Sequence, residues 1–362
     1  MARVAIVSPS FASADAVTND ALGMFHVLTR LGNEVRLFCE SHSLKEPRIG
    51  DLTEVNGFLK SESDVVIYHH SRGWTEGVEL LQRVNCRRVI KYHNVTPAKF
   101  FTGFSSYDEE QCELGRKQLT DLAQVQCDRY LSASAFSMHE LIAAGAGEAK
   151  SFVVPPFHQI DRLAQITADP GIVERYSDGA ANILSVGRVV PHKAYLQLID
   201  VFAHYHHDYN RNARLIIAGK GGEGFSPYSK LLRRAVERLG LKDAVVFTGG
   251  VSDEVLKAWY VVADVFVTVS EHEGFCVPLV EAMSMKLPIV AFASTAIPET
   301  LGDAGIVWNE RNPLLIAESI DLLLRDSSVR HALGRRGLRR YERQFTNEKI
   351  GNCFIEALAT LI

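Results

Sequence analysis

The stretch Ser270-Glu271-His272-Glu273-Gly274-Phe275-Cys276-Val277-Pro278-Leu279-Val280-Glu281-Ala282 decides the fold class of this chain. It follows an apolar, β-branched run, Val261 to Val269, that reads as a buried parallel strand. Gly274 breaks the strand, and Pro278 sits where a helix tolerates it, in the first turn. Glu281 falls about one turn into that helix. Glu273 is therefore expected at the carboxyl tip of a strand, with Gly274 to Val277 offering backbone N–H groups at a helix start and Glu281 projecting toward the same crevice. Open α/β sheets bind ligands in that crevice, and a helix start attracts anions. Two carboxylates beside an anion site suit a ligand that is part hydroxyl-rich and part phosphate, as a nucleotide sugar is. Two glutamates at this spacing are commonplace on their own. The Gly-Phe pair at a strand tip, which has little structural purpose, is what singles them out.

Working outward, strand-like and helix-like segments alternate along the whole chain, the mark of parallel α/β architecture. Val4–Ser8, Glu34–Phe38, Asp64–Tyr68, Arg88–Tyr92, Arg129–Ser132 and Ser151–Val154 read as strands of a first set. Asn182–Val186, Ala213–Ile217, Ala244–Phe247, Asp264–Val269, Pro288–Ala291 and Gly305–Val307 form a second. Between them, 161–180 turns polar, with Asp169-Pro170-Gly171 and Ser177-Asp178-Gly179, and reads as a linker. At 362 residues the chain is too long for one ordinary core. The expectation is two doubly wound, Rossmann-like domains facing a cleft, over 1–170 and 171–346. The terminal helix 347–362 is expected to pack back on the first.

Composition narrows the function classes. A net charge of −4 gives no global reason to expect nucleic-acid binding. Apolar runs of roughly ten residues fall short of the ~20 that span a bilayer. The chain enters a strand straight after Met1-Ala2-Arg3, which leaves no room for a signal peptide. The six cysteines show neither metal-ligand spacing nor close pairing, as expected of reduced thiols in a cytoplasmic protein. Arg335, Arg336, Arg339, Arg340 and Arg343 line one side of a helix. A solvated face is the ordinary explanation; a peripheral contact with an anionic membrane leaflet is the alternative.

Further residues carry chemistry at expected strand tips. Gly187-Arg188 and Lys193 follow the first strand of the second set, where a diphosphate needs a forked and a point cation. Gly219-Lys220-Gly221-Gly222-Glu223-Gly224 matches a dinucleotide fingerprint but lies on the second strand, and no acid closes the next one, which ends in Gly249-Gly250. A nicotinamide cofactor is therefore not expected. In the first half, Asp15-Ala16-Val17 opens a helix, His70 ends the third strand, and His93-Asn94 ends the fourth within a polar turn. The chain has no Asp-x-Asp clamp for a divalent ion, so Arg188, Lys193 and a helix start are expected to neutralise the diphosphate without metal.

These pieces together resemble the retaining glycosyltransferases of family 4, which have the GT-B fold. Glu273 to Glu281 looks like their E-x7-E motif, Gly187-Arg188 with Lys193 like their diphosphate loop, and Val153-Val154-Pro155-Pro156 like the segment before their interdomain linker. The resemblance implies that Glu273 contacts donor-sugar hydroxyls, Glu281 the ribose, and Arg188 and Lys193 the diphosphate. It implies that N–H groups at Gly274, Phe275 and Cys276 hold sugar and phosphate, and that His93 is the catalytic-centre histidine. Base recognition in such a fold leans on backbone and apolar contacts near Gly249 and Val251. Many relatives carry Gly-Gly after the first strand, touching the donor phosphate; this chain departs from that pattern and reads Asp15-Ala16-Val17 there.

The implied activity is transfer of a hexose from a UDP- or GDP-linked donor to a glycan or lipid-linked acceptor, with retention, as in bacterial polysaccharide synthesis. No cofactor or metal is expected. The rivals are a GT-B epimerase, which would act on donor alone, and a nucleotide-sugar binding subunit without turnover.

Overall fold

The computed structural model describes residues 2–13, 15–221 and 226–362. The chain divides into two compact units. The first holds Met1–Lys99, Tyr107–Gln159 and Phe345–Ile362; the second holds Phe100–Ser106 and Ile160–Gln344.

The first unit is built on a parallel sheet of β1 (Arg3–Val7), β2 (Glu34–Cys39), β3 (Ile49–Asp51), β4 (Val65–His70), β5 (Arg87–Tyr92), β6 (Arg129–Ser132) and β7 (Ser151–Val153). Their order across the sheet is β3-β2-β1-β4-β5-β6-β7. This is the doubly wound order, with the direction of winding reversing between β1 and β4. Val4 to Val7 and Val65 to Tyr68 are buried completely, as strands covered by helices on both faces must be. Beyond the tips of β1 and β2, Ser10–Phe11 pairs with Ser41–His42 in a small parallel extension.

The second unit repeats the plan with β8 (Ala181–Val186), β9 (Ala213–Ala218), β10 (Val245–Gly249), β11 (Val265–Thr268), β12 (Ile289–Phe292) and β13 (Ile306–Trp308). The order is β10-β9-β8-β11-β12-β13, so its switch point lies between β8 and β11.

Three local outcomes differ from the sequence reading. The polar stretch 161–180 is not an open linker: it contains helices Ile160–Gln165 and Pro170–Tyr176. Asp169 caps the second by accepting from the Ile172 N–H, with Pro170 in the first turn. Residues 160–170 also lie in the second unit, held there as Lys257 Nζ donates to the carbonyls of Ala164 and Ile166 and Asp169 N–H to that of Glu254. Finally, Val261 and Val262 close the helix Asp253–Val262 instead of opening β11.

The helix Asn347–Leu358 completes the core of the first unit. Phe354 meets the Phe157 ring edge-on at 6.1 Å, and Arg129 Nε donates to the Ala357 carbonyl at 3.0 Å. Among the described residues no helix is long and apolar enough to cross a membrane.

Candidate active site

In the second unit, the loops after β8 and β11 meet at the switch point. Glu271 N–H donates to the His192 carbonyl at 2.8 Å and ties the two loops together. Lys193 Nζ then reaches Glu273 Oε1 at 2.6 Å, with both side chains nearly buried. Burial alone would favour a neutral Lys193 amine, but the adjoining Glu273 carboxylate outweighs it and holds the ammonium firmly charged. Gly187 turns the chain at φ 152°, and Tyr195 donates to its carbonyl at 3.0 Å. Gly219, at the β9 tip, is required by packing: a Cβ there would stand 1.9 Å from the Gly187 oxygen. This explains the first glycine of the fingerprint-like run without a cofactor. Gly222 to Gly224 lie outside the described residues.

Three non-glycine residues with left-handed backbone surround the Lys193–Glu273 pair. Ala194 has φ 55°, Cys276 φ 75° and Thr295 φ 44°. For β-branched Thr295 this conformation is a genuine outlier. Its hydroxyl accepts from Glu273 N–H and donates to the Glu273 carbonyl, both at 2.8 Å, clamping the backbone of the glutamate. Strain gathered around one ion pair marks a site held in a set geometry. Cys276 caps the helix Val277–Ser284, and Phe275 accepts from Thr300 Oγ1 at 2.7 Å, which fixes Gly274 to Val277 at that helix start.

Glu281, on the same helix, accepts from the Tyr260 hydroxyl at 2.6 Å. Burial raises its carboxyl above the ordinary range, against the Tyr260 hydrogen bond. Tyr260 comes from the helix Asp253–Val262, which starts directly after Gly249 and Val251 and is capped by Ser252. Gly249 takes φ 68° and is exposed, Val251 is half-buried, and Arg188, directly after Gly187, is exposed.

In the first unit, Asp15 caps the helix Ala16–Arg30, accepting from Thr18 N–H at 2.8 Å, so Ala16 and Val17 form its first turn. His70 is fully buried, with one ring nitrogen 3.1 Å from the Tyr68 hydroxyl and the other 2.9 Å from the Gly115 carbonyl. Asn94, at φ 77°, donates to Glu140 Oε2 at 2.6 Å and to Ser137 Oγ at 3.2 Å. These contacts give His70 and Asn94 structural employment at the positions where acceptor contacts were expected.

His93 sits in a cluster the sequence reading missed. Its Nε2 lies 2.9 Å from His69 Nδ1 and 3.5 Å from Asp20 Oδ2, and Lys91 Nζ is 3.6 Å from the same oxygen. Asp20, His69 and Lys91 have no exposure at all. Lys91 also donates to the Val154 carbonyl, and Asp20 Oδ1 accepts from Phe157 N–H at 2.9 Å. Donor atoms of Asp20, His69 and His93 lie within 4.8 Å of one another, a metal-like grouping. The Lys91 ammonium, 3.6 Å from Asp20 Oδ2, already sets a positive charge beside that grouping.

Burial pushes His69 down to about 3 and His70 down to about 4, and drives His93 well below the usual imidazole range. A histidine that stays neutral when folded but takes up a proton when unfolded lowers stability as pH falls from ~6.5 toward the folded value. The melting temperature should accordingly drop steadily between pH 7 and pH 5, and the drop should shrink in His70→Gln. An unchanged slope in that variant would show that His70 does not contribute. Asp20, raised to about 6 by burial against the pull of Lys91, works in the opposite direction over pH 4–6 and offsets part of the loss.

Residues 174–340 match the family described as Glycosyl transferases group 1. The second unit is a group 1 glycosyl transferase domain. Over 176 residues the chain is 32% identical to O-antigen chain mannosyltransferase B of Escherichia coli, covering 48% of this chain and 44% of that protein. It is 29% identical over 207 residues to a GDP-mannose-dependent alpha-(1-6)-phosphatidylinositol monomannoside mannosyltransferase of Mycobacterium tuberculosis, covering 54% and 52%. The matches thus span about half the length of these relatives. Among solved structures, sucrose-phosphate synthase from Thermosynechococcus elongatus superposes with a TM-score of 0.80 at 17% identity, covering 100% and 99% of the two chains. HepE of Anabaena, in complex with UDP and glucose, gives 0.78 at 16% identity, covering 99% and 100%. The fold is GT-B. Every residue of the Lys193–Glu273 constellation falls inside the transferase domain, within the matched stretch.

Proposed function

We propose that this protein moves a hexose from a nucleoside-diphosphate sugar to a hydroxyl of a glycan or lipid-linked sugar, retaining the anomeric configuration. The observation that carries this reading is the Lys193–Glu273 ion pair at the switch point of the transferase domain, ringed by strained backbone. Such a site supplies a permanent cation and a fixed carboxylate in a nearly dry setting, where each acts more strongly than in water.

In this reading Arg188 and Lys193 stabilise the charge that grows on the leaving diphosphate, the largest catalytic term. Glu273 orients the hydroxyls of the donor ring as the bond breaks. The leaving phosphate takes the acceptor proton on the same face, since Glu273 is already engaged by Lys193 and is poorly placed to act as a nucleophile. His93, neutral and held by His69, is assigned a hydrogen bond to the donor sugar. With Lys193 fixed and Arg188 after Gly187 supplying the positive charge, no divalent ion is required in this reading, so activity should survive EDTA. Peripheral contact with an anionic leaflet at the cytoplasmic face is part of the reading, supported by Arg335, Arg336, Arg339 and Arg343, which stay exposed. Arg340 instead donates to the Thr300 and Glu299 carbonyls.

The test is a thermal-shift panel with GDP, UDP, ADP and their sugars, because a ligand that binds only the folded state raises the melting point by mass action. The mannosyltransferase relatives put GDP-mannose first in that panel. No shift with any nucleotide would end the reading. Epimerisation of donor without acceptor would replace it with the rival one.

Glu281→Gln should weaken nucleoside-diphosphate affinity about tenfold while leaving turnover at saturation nearly unchanged, because a ribose contact exists in ground and transition states alike. The Tyr260 hydroxyl can still donate to the amide oxygen, so the fold is preserved. Calorimetric titration showing wild-type affinity would remove Glu281 from the nucleotide pocket.

A further inference from the structure

The second unit carries a small cavity of about 100 Å³ that shares no lining residue with the Lys193–Glu273 site. It is lined by Asp303, Arg336, Arg339, Arg340, Arg343 and Gln344. We propose that this notch binds a single phosphate group, carried either by free orthophosphate or by the headgroup of a phospholipid.

The notch is built on a firmly seated element. The helix Ser327–Arg340 continues directly into one π turn, Tyr341–Phe345. Residues 336, 339 and 340 share a face at helical spacing, and the wider π turn brings Arg343 and Gln344 to the same opening. Such π turns recur at functional sites. Gly334 lets the helix approach the rest of the unit closely, since a Cβ there would stand 2.2 Å from the Lys286 carbonyl oxygen. Arg340 is anchored before any ligand arrives: Nε donates to the Thr300 carbonyl at 2.8 Å and Nη2 to that of Glu299 at 2.6 Å. Gly302 takes φ 56°, and a Cβ on it would lie 2.6 Å from Arg340 Nη1, so the guanidinium is packed against that turn.

Charge and size select the ligand. Four guanidinium groups meet one carboxylate in the lining, and the charge of that carboxylate, Asp303, acts on Arg340. Among the described residues, Arg336, Arg339 and Arg343 enter no ion pair. A helix end favours basic residues in its last turn, which accounts for Arg339 and Arg340 but not for Arg336 and Arg343 converging with them. Like charges three and four residues apart weaken a helix, a cost that a bound anion removes. Guanidinium forks match the oxygens of a phosphate in pairs. The volume is far below the ~300 Å³ at which small-molecule pockets begin, so the notch takes a phosphate group and not the remainder of a nucleotide or sugar.

This site stands apart from the transferase reading. It also differs from a diffuse leaflet contact, because it saturates with phosphate and does not need Arg335, which is exposed outside the notch. The experiment is an NMR titration of the full chain, labelled with ¹⁵N at the arginine Nε, with inorganic phosphate against sodium chloride at matched ionic strength. The Nε–H resonances of Arg336, Arg339, Arg340 and Arg343 should move along one saturable curve with phosphate and stay in place with chloride. Arg336→Gln and Arg343→Gln, both at exposed side chains, should keep the wild-type melting temperature and weaken phosphate binding about tenfold. Arg335→Gln makes the same charge change and should leave that binding within about twofold. Sedimentation with phosphatidylcholine vesicles, with and without phosphatidic acid, then separates the sources. Capture by phosphatidic acid that is lost in Arg336→Gln supports the notch with a lipid as its ligand; phosphate saturation without capture supports it with free phosphate. Shifts that merely follow ionic strength, an equal loss in Arg335→Gln, or vesicle capture without phosphate saturation each overturn the proposal. Failure of the transferase reading looks different: no nucleotide raises the melting point, yet the four resonances still respond to phosphate.

Discussion

Lys193→Ala is expected to lower turnover by a factor of ~10³ and to destabilise the protein by about 3 kcal/mol, two effects with separate causes. The kinetic loss comes from removing a fixed cation from the leaving diphosphate. The loss of stability comes from Glu273, left 7% exposed and without its partner at 2.6 Å. A second substitution separates the two. In Lys193→Ala/Glu273→Gln the buried charge is gone, so most of the stability should return while activity stays absent. Turnover within threefold of wild type in the single variant would take Lys193 out of the site. A double variant no more stable than the single one would show that the pair is not what holds the loops. Arg188→Ala, at an exposed side chain, should reduce turnover without the loss of stability.

That pair shows what the sequence makes readable and where it stops. Lys193 and Glu273 stand 80 residues apart, and nothing in their spacing brings them together. What joins them is the order of the sheet: β8 and β11 are neighbours, so residues at their two tips must meet. Each strand was legible as an apolar run bounded by turn residues. Strand β3 was not, because Ile49-Gly50-Asp51 carries no pattern and is a strand only through pairing with Leu37 to Cys39. The Tyr260–Glu281 bond was equally hidden, since a tyrosine on an amphipathic helix reads as core. Thr295 could not be found at all, because its φ of 44° is imposed by the fold and leaves no mark on residue choice.

The cluster beneath His93 had a signal that passed unread. A lysine inside the buried strand Val89-Ile90-Lys91-Tyr92 is an anomaly, since a fully buried ammonium must have a partner. The partner, Asp20, lies 71 residues away on the helix that Asp15-Ala16-Val17 opens. Lys91→Met keeps the length of the side chain and removes the charge. At pH 7.5 it should destabilise the protein by about 3 kcal/mol, because Asp20 is left buried with no counterion and the Val154 carbonyl loses its donor. The loss should shrink toward pH 5.5. The Asp20 carboxyl is already raised to about 6 by burial against Lys91, and without Lys91 it rises further, so mild acid neutralises it in the folded state. Asp20→Asn should fail in the opposite sense, since burial already lowers the Lys91 ammonium and mild alkali would relieve the stranded charge. Asp20→Asn/Lys91→Met should recover much of the stability at both pH values, because neither charge remains to be desolvated. Urea unfolding of the four proteins at pH 5.5 and 7.5 measures this directly. Equal losses at both pH values, or single effects that simply add in the double variant, would show that the two groups do not act as an ion pair. If the pair does couple, Asp20 and Lys91 set the height and tilt of β5 against the helix Ala16–Arg30, and His93 takes its position from them.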